Sequence, residues 1–234
     1  MLSINNIDLI SFTNMKMLKK RPSGILVELH SLGDEASLID LVRKGRKWAN
    51  YGVLYIYPYT SPWNWMNSDS VRLLDEILDV IFVSEQGLMK LPVVVLGYSM
   101  GGHGALVYSA FSKHNVTACL AVCPICDLIY HFTENAYVSR TLITAYFCEP
   151  DLNKALTDRS PLFITDIMPK IPYLIVHCRN DERVSIVNHS DKLAQKMMSD
   201  NFNIIYHIVE NGGHCKLDEY SKSMIDDFLL RHLS

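Results

Sequence analysis

Apolar residues along the chain follow two alternating rhythms. Six short runs rich in β-branched and aromatic residues read as strands: GILVELH (24–30), YGVLYIYP (51–58), LPVVVLG (91–97), VTACLAVC (116–123), IPYLIVHC (171–178) and NIIYHIVE (203–210). The strongest of them, LPVVVLG, is the pattern of a strand buried on both faces. Between these runs the period lengthens to that of amphipathic helices. Such helices are expected over Ala36 to Asn50, from about Gly101 to Lys113, around Ile186 to Met198, and near Lys216 to Leu230. Another is offered Ser68 or Asp69 as its cap and carries Val71, Leu74, Ile77, Leu78 and Ile81 at helical spacing. Residues 124–171 show helical patches and no clear strand, and are expected to form a small cap over one end of the sheet. This alternation predicts an α/β fold, with a mostly parallel central sheet, right-handed crossovers and helices on both faces. Loops leaving the carboxyl ends of such strands converge on one edge, where ligands bind.

Composition narrows the picture. A chain of 234 residues, 49% hydrophobic, has material for one sizeable core, so residues 1–234 are expected to form a single domain. The net charge of −3 comes from interspersed acids and bases, with no basic stripe for nucleic acid and no polybasic arm for a membrane surface. No segment approaches the roughly 18 apolar residues of a membrane span. The first apolar stretch contains Asp8 and its basic cluster follows rather than precedes it, the wrong order for a secretory signal. A cytoplasmic protein with six reduced cysteines is therefore expected. Cys123 and Cys126 form a C-x-x-C pair, but no second ligand pair stands at metal-binding spacing, so neither a metal nor another cofactor is expected. The pair reads as small buried residues at a strand end, with thiol redox chemistry as the alternative.

The chemistry begins at Gly97-Tyr98-Ser99-Met100-Gly101, a G-x-S-x-G element. The pattern is suggestive by spelling alone; its weight comes from lying where a buried strand meets a helix, the place of a nucleophile elbow. There the serine backbone is strained, and glycine at 97 and 101 removes side chains that would collide with the turn. The helix that follows directs its free N–H groups at the site, which makes the backbone N–H of Met100 a candidate oxyanion donor.

A serine hydroxyl needs an imidazole to take its proton and a carboxylate to hold that imidazole in the right tautomer. Among nine histidines, His214 is favoured because it follows the last strand in the loop Glu210-Asn211-Gly212-Gly213. His177 and His207 lie within predicted strands, His114, His189 and His232 on or beside polar helix faces, and His103 on the elbow helix. Asp181, just beyond IPYLIVHC, is favoured as the carboxylate by its strand-end position, with Glu182 as competitor.

These residues resemble the α/β-hydrolase superfamily, whose chain order of nucleophile, acid and base is matched by Ser99, Asp181 and His214. The resemblance runs from about Gly24 onward. The stretch SPLFITDIMPKIPYLIVHCRNDERV is similar to prolyl-oligopeptidase-type and dienelactone-hydrolase-like members, in which an H-G-x-x-D-x-x-V pattern carries the acid; His177 and Asp181 fit it, with Cys178 in place of glycine. GYSMGGHGAL resembles the elbow of small serine esterases such as S-formylglutathione hydrolases. The segment Leu29-His30-Ser31-Leu32-Gly33-Asp34 resembles the H-G-x-G oxyanion loop of carboxylesterases, which implies Leu32 N–H as the second donor; Ser31 stands where glycine is usual, so Ser31 and Leu32 both remain open.

The expected function is thus a serine hydrolase, carboxylesterase-like, acting through an acyl-enzyme on a small acyl substrate or short peptide. Two alternatives are a prolyl-oligopeptidase-like peptidase and a non-catalytic binding member of the fold. The aromatic loop after the second strand offers Tyr59, Trp63 and Trp65 as substrate contacts, and His30 is a further candidate for lining the pocket.

Overall fold

The computed structural model describes residues 2–33, 36–84 and 87–233, so Asp34 of the expected oxyanion loop lies outside the described residues. In chain order the elements are β1 (Ser11–Thr13), β2 (Gly24–Leu29), α1 (Leu38–Asn50), β3 (Val53–Pro58), α2 (Ser68–Ser84), β4 (Val93–Tyr98), α3 (Met100–Phe111), β5 (Val116–Val122), α4 (Leu128–Glu134), α5 (Ala136–Ala145), α6 (Leu152–Asp158), β6 (Tyr173–Cys178), α7 (Lys192–Ser199), β7 (Ile204–Val209) and α8 (Glu219–His232). The strands join one seven-stranded sheet in the order β1-β3-β2-β4-β5-β6-β7. Only β1 is antiparallel, pairing Phe12 with Tyr57. All six expected strands form and run parallel.

Side chains alternate across these strands, and the two resulting faces build two cores. Ile25, Val27, Val93, Val95, Cys119, Ala121 and Ile175 pack with Leu74, Ile77 and Ile81 of α2 and with Leu106, Leu193 and Met197. Leu26, Val94, Leu96, Leu120, Val122, Leu174 and Val176 pack on the other side with Leu41 and Trp48 of α1 and with Ile225, Phe228 and Leu229 of α8. Apolar strands need cover on both sides, and the amphipathic helices supply it. The sheet is therefore mostly parallel with helices on both faces.

Register places the chemistry. Tyr98 pairs with Val122, Val122 with Val176 and Cys178 with Val209, so β4 through β7 end close together along one edge. The loops carrying Ser99, Asp181 and His214 leave from that edge.

Two helix starts differ from expectation. Neither Ser68 nor Asp69 caps α2; Asn67 does, its Oδ1 accepting the Ser70 N–H at 3.0 Å and the Ser70 hydroxyl at 2.8 Å. The helix expected from Ile186 opens with a π-helical turn, Val187–Asp191, before α7. That extra residue in the turn lets two successive buried side chains, His189 and Ser190, reach inward partners.

Between β5 and β6 the chain runs through α4, α5 and α6. Leu128, Leu142, Tyr146 and Leu156 close over Trp65, Met100, Ile125 and Val184 at the carboxyl edge of the sheet. Polar contacts fasten this excursion. The Trp65 indole N–H donates to Thr141 Oγ1 at 3.0 Å, and the Tyr146 hydroxyl donates to the Trp65 carbonyl at 2.7 Å. A His–Glu–His network ties α4 to the π turn: the Glu134 carboxylate accepts from His131 Nδ1 at 2.5 Å and from His189 Nε2 at 3.4 Å. Burial alone would raise the Glu134 pKa; the two imidazole hydrogen bonds overcome it and lower the pKa from 4.5 to about 2. A depressed carboxylate contributes stability above its unfolded pKa and loses it as pH falls toward the folded value. Thermal denaturation followed from pH 7 to pH 3 is therefore expected to show the wild-type melting temperature falling below about pH 4.5. Glu134→Gln should melt lower at neutral pH and show a shallower acid decline; parallel curves would assign no such role to Glu134.

Among the described residues, no helix is long and apolar enough to cross a membrane.

Candidate active site

Ser99 sits at the junction of β4 and α3 with φ +55° and ψ −120°, outside the ordinary regions for an L-residue. Such a conformation costs about 1–3 kcal/mol and persists only where the surroundings enforce it. The surroundings are backbone. A Cβ on Gly97 would lie 2.0 Å from the Gly101 carbonyl oxygen, and one on Gly101 would lie 2.3 Å from the Leu29 carbonyl oxygen. Neither contact can relax by a side-chain rotation, so the two glycines are required by the closeness of strand, turn and helix. The Ser99 N–H is itself held by the Val122 carbonyl at 2.8 Å.

Asp181 and His214 are brought together: His214 Nδ1 lies 2.7 Å from Asp181 Oδ2. Facing a carboxylate, Nδ1 carries the proton and Nε2 keeps its lone pair, the tautomer of a general base. Asp181 is fully engaged. Its Oδ1 accepts the N–H groups of Arg183 at 2.9 Å and Val184 at 3.0 Å, and its buried side chain leaves no oxygen to solvent. Burial raises the Asp181 pKa, but donation from His177, His214 and Val184 prevails and holds the carboxyl well below the usual range. Glu182, the competitor, is exposed.

His177 is the residue whose contribution the sequence concealed. It is fully buried in β6, with Nδ1 2.6 Å from Ser190 Oγ and Nε2 3.1 Å from the Val184 carbonyl and 3.3 Å from Asp181 Oδ2. Between a carbonyl and a carboxylate, Nε2 must be the protonated nitrogen, and Nδ1 accepts the Ser190 hydroxyl. One carboxylate thus collects two imidazole N–H groups. Its sequence signal was the i, i+4 spacing of His177 and Asp181 across the strand end, within the H-G-x-x-D-x-x-V pattern.

Among the described residues, no hydrogen bond joins Ser99 Oγ to His214. Near Ser99, the Met100 N–H opens α3 and, among the described residues, no backbone acceptor takes the N–H of Ser31 or Leu32. Ser31 Oγ donates to the Tyr98 carbonyl at 3.1 Å, and Gly33, at φ +93°, donates its N–H to Pro62, which together set the loop's path.

The proposed substrate contacts divide. Tyr59 and Trp63 are 37% and 36% exposed, and Trp63 stands edge-on to Tyr137 of α5. Trp65 is 1% exposed and belongs to the core beneath the helical excursion. It is thus a packing residue, driven there because its whole indole is covered once Tyr146 and Thr141 bind it. His30 is 4% exposed, with Nε2 2.6 Å from Thr60 Oγ1 and 3.1 Å from Asn64 Nδ2, so it braces the aromatic loop against the segment that begins at Ser31.

Among the described residues, ligand-type atoms lie within 4.8 Å of one another in three groups: His131, Glu134 and His189; Cys123, His177 and Asp181; and Cys123, His214 and Cys215. In the first, His189 Nδ1 accepts the N–H groups of Cys126 and Asp127 at 3.1 and 3.2 Å, which fixes the proton on Nε2. A metal there would have to strip that proton and leave an imidazolate, against the usual arrangement in which the second nitrogen donates. In the second, Asp181 and His177 already satisfy each other. The third is a thiol cluster beside the candidate base.

The sequence model of the prolyl oligopeptidase family matches residues 71–234. No curated protein matches the chain by sequence. Among solved structures, a Pyrococcus horikoshii acylaminoacyl peptidase superposes with a TM-score of 0.71 at 15% identity, over 92% of this chain and 38% of its own. Esterase PE8 superposes with a TM-score of 0.64 at 16% identity, over 91% of this chain and 94% of its own. Esterase B from Lactobacillus rhamnosis gives 0.69 at 13% identity, over 92% and 76%. The chain thus spans well under half the length of that peptidase and most of the length of the two esterases; at these identities the superpositions establish the fold alone. Matched over most of its length by the family model and folded as an α/β-hydrolase, the chain belongs to the prolyl oligopeptidase family.

Proposed function

We propose that this serine hydrolase opens a carboxylic ester or related acyl bond of a small substrate, with Ser99 as nucleophile, His214 as base and Asp181 as its orienting carboxylate. The observation that carries the reading is the hydrogen bond from His214 Nδ1 to a buried, fully coordinated Asp181 on the same sheet edge as a strained serine. His214 Nε2 takes the Ser99 proton as the hydroxyl attacks the carbonyl carbon. The oxyanion is received by the N–H groups of Met100 and Leu32, each such donor contributing about 3 kcal/mol. His214 then hands the proton to the leaving group, and water repeats the sequence to release the acid. Serine–imidazole contacts are commonly loose before substrate binds, and the contact between Ser99 and His214 tightens in the complex. Tyr59 and Trp63 present aromatic faces to the substrate; Trp65 and His30 hold the loop that carries them.

Family membership favours a second reading, cleavage of a peptide bond in a short peptide. Short-chain p-nitrophenyl esters compared with prolyl and phenylalanyl p-nitroanilides separate the two. The ester reading expects kcat/KM for esters to exceed that for anilides by orders of magnitude; anilide turnover equal to or above ester turnover would overturn it.

A further inference from the structure

The C-x-x-C spacing suggests a Cys123–Cys126 pair, but the fold separates them. Cys123 joins the core under α1 and α8, and Cys126 the core on the opposite face of the sheet. Cys123 instead meets Cys215, the residue after His214. Cys123 Sγ, Cys215 Sγ and a ring nitrogen of His214 lie within 4.8 Å of one another. Both cysteines are held at positive φ, +45° and +56°. Non-glycine residues seldom adopt this left-handed region, so both thiols are presented beside the candidate base by enforced backbone.

Accessibility differs between them. Cys123 is fully buried, whereas Cys215 is half-buried and borders an open cleft of about 570 Å³ beside Ser31 and Tyr98. A hydrogen bond to Cys215, then burial, pushes the Cys123 thiol up, so Cys123 is not the sulfur that reacts first. Cys178 also approaches Cys123, but burial pushes its thiol up to about 12 and its Sγ is directed to the Lys216 carbonyl at 3.7 Å.

We propose that Cys123 and Cys215 form a dithiol modification site, which hydrogen peroxide converts to a disulfide that displaces His214 and silences hydrolysis until a thiol reductant restores it. The Cys215 thiolate attacks peroxide; an S–O bond forms, the O–O bond breaks, and hydroxide leaves as water after taking a proton. The Cys123 sulfur then attacks the Cys215 sulfur; the S–S bond forms, the S–O bond breaks, and the departing hydroxide takes the Cys123 proton as a second water. Two thiols lose two electrons and peroxide gains them. Closing the sulfurs to the roughly 2.05 Å of a disulfide pulls on the backbone joined to His214. A displacement of about 1 Å in a catalytic group costs on the order of a hundredfold in rate.

The inference rests on His214 as base, and its test reads the bond and the activity separately. Purified protein in a Cys148→Ser background, which removes an exposed thiol, is reduced, treated with hydrogen peroxide, alkylated and peptide-mapped. The expected product has lost two hydrogens and contains a Cys123–Cys215 linked peptide. Fluorophosphonate labelling of the oxidised protein should fall at least tenfold and return with dithiothreitol. Cys123→Ser and Cys215→Ser should each keep their own starting labelling through peroxide. Both cysteines alkylated, a Cys123–Cys178 link, or a linked protein that labels undiminished overturns the proposal. A reduced protein that never labels sinks the hydrolase reading instead, and the peptide map still decides whether the disulfide forms.

Discussion

Ser99→Ala is expected to lower kcat for ester hydrolysis by about a million-fold, with far-ultraviolet circular dichroism unchanged. The size follows from cooperation. When nucleophile, base and carboxylate act as a unit, loss of the nucleophile removes nearly everything the unit contributes, leaving only oxyanion stabilisation and binding. Alanine at this position keeps the Gly97 and Gly101 contacts, so the elbow survives and the loss reports chemistry. A fluorophosphonate should label wild-type protein at Ser99 and leave the variant untouched. A loss below tenfold would place the nucleophile elsewhere, and wild-type protein that neither labels nor hydrolyses esters would favour a binding member of the fold.

Asp181→Asn is expected to cost about ten-thousandfold in kcat, because the amide stabilises the wrong imidazole tautomer. It should also destabilise the protein, which an ordinary catalytic carboxylate would do less. Asp181 accepts from His214 and His177 on one oxygen and from Arg183 and Val184 on the other. Whichever way the asparagine amide turns, its NH₂ meets groups that are themselves donors, and each buried hydrogen bond left unmade costs about 1–3 kcal/mol. The pH dependence has a defined sign. The folded pKa of Asp181 is depressed, so its contribution is complete above the unfolded carboxylate value near about 3.9 and fades only in stronger acid. Wild type should lose this contribution below about pH 4, while the asparagine variant lacks it at every pH. Glu182→Gln, on an exposed side chain, is the control and should keep both rate and melting temperature. An Asp181→Asn enzyme within tenfold of wild type would transfer the orienting role to another group.

What could be read from the sequence was what periodicity controls. Val93 to Leu96 alternate between two cores, and a segment apolar on both faces has few structures open to it. The positions of Ser99, Asp181 and His214 followed because a parallel sheet sends every such loop to one edge. What stayed hidden depends on contacts between residues distant in the chain. β1 is three residues long, too short for alternation to show. Asn67 outcompetes Ser68 and Asp69 as a cap because its own side chain reaches Ser70, a choice of backbone path rather than residue type. Trp65 looked like its neighbour Trp63, yet only the tertiary positions of Thr141 and Tyr146 decide which indole is enclosed. His177 was read as a strand residue, which it is; its donation to Asp181 needs the turn at Val184 to aim the carboxylate back at the strand.

The strand order has a consequence for how the molecule is made. β2 lies between β3 and β4, and Ile25 pairs with Leu54 on one side and Val93 on the other. During synthesis, β2 and β3 emerge before β4, so β2 must wait for all of α2 before its second neighbour arrives. Pairings of this kind close long loops before they return energy, which slows folding. In that interval β2 presents an apolar edge that β4 will later cover, and the acidic surface of α2, with Asp69, Glu76 and Asp79, travels beside it. The strand that delivers Ser99 is thus also the one that covers the open edge of β2 and passes the growing edge of the sheet on to β5.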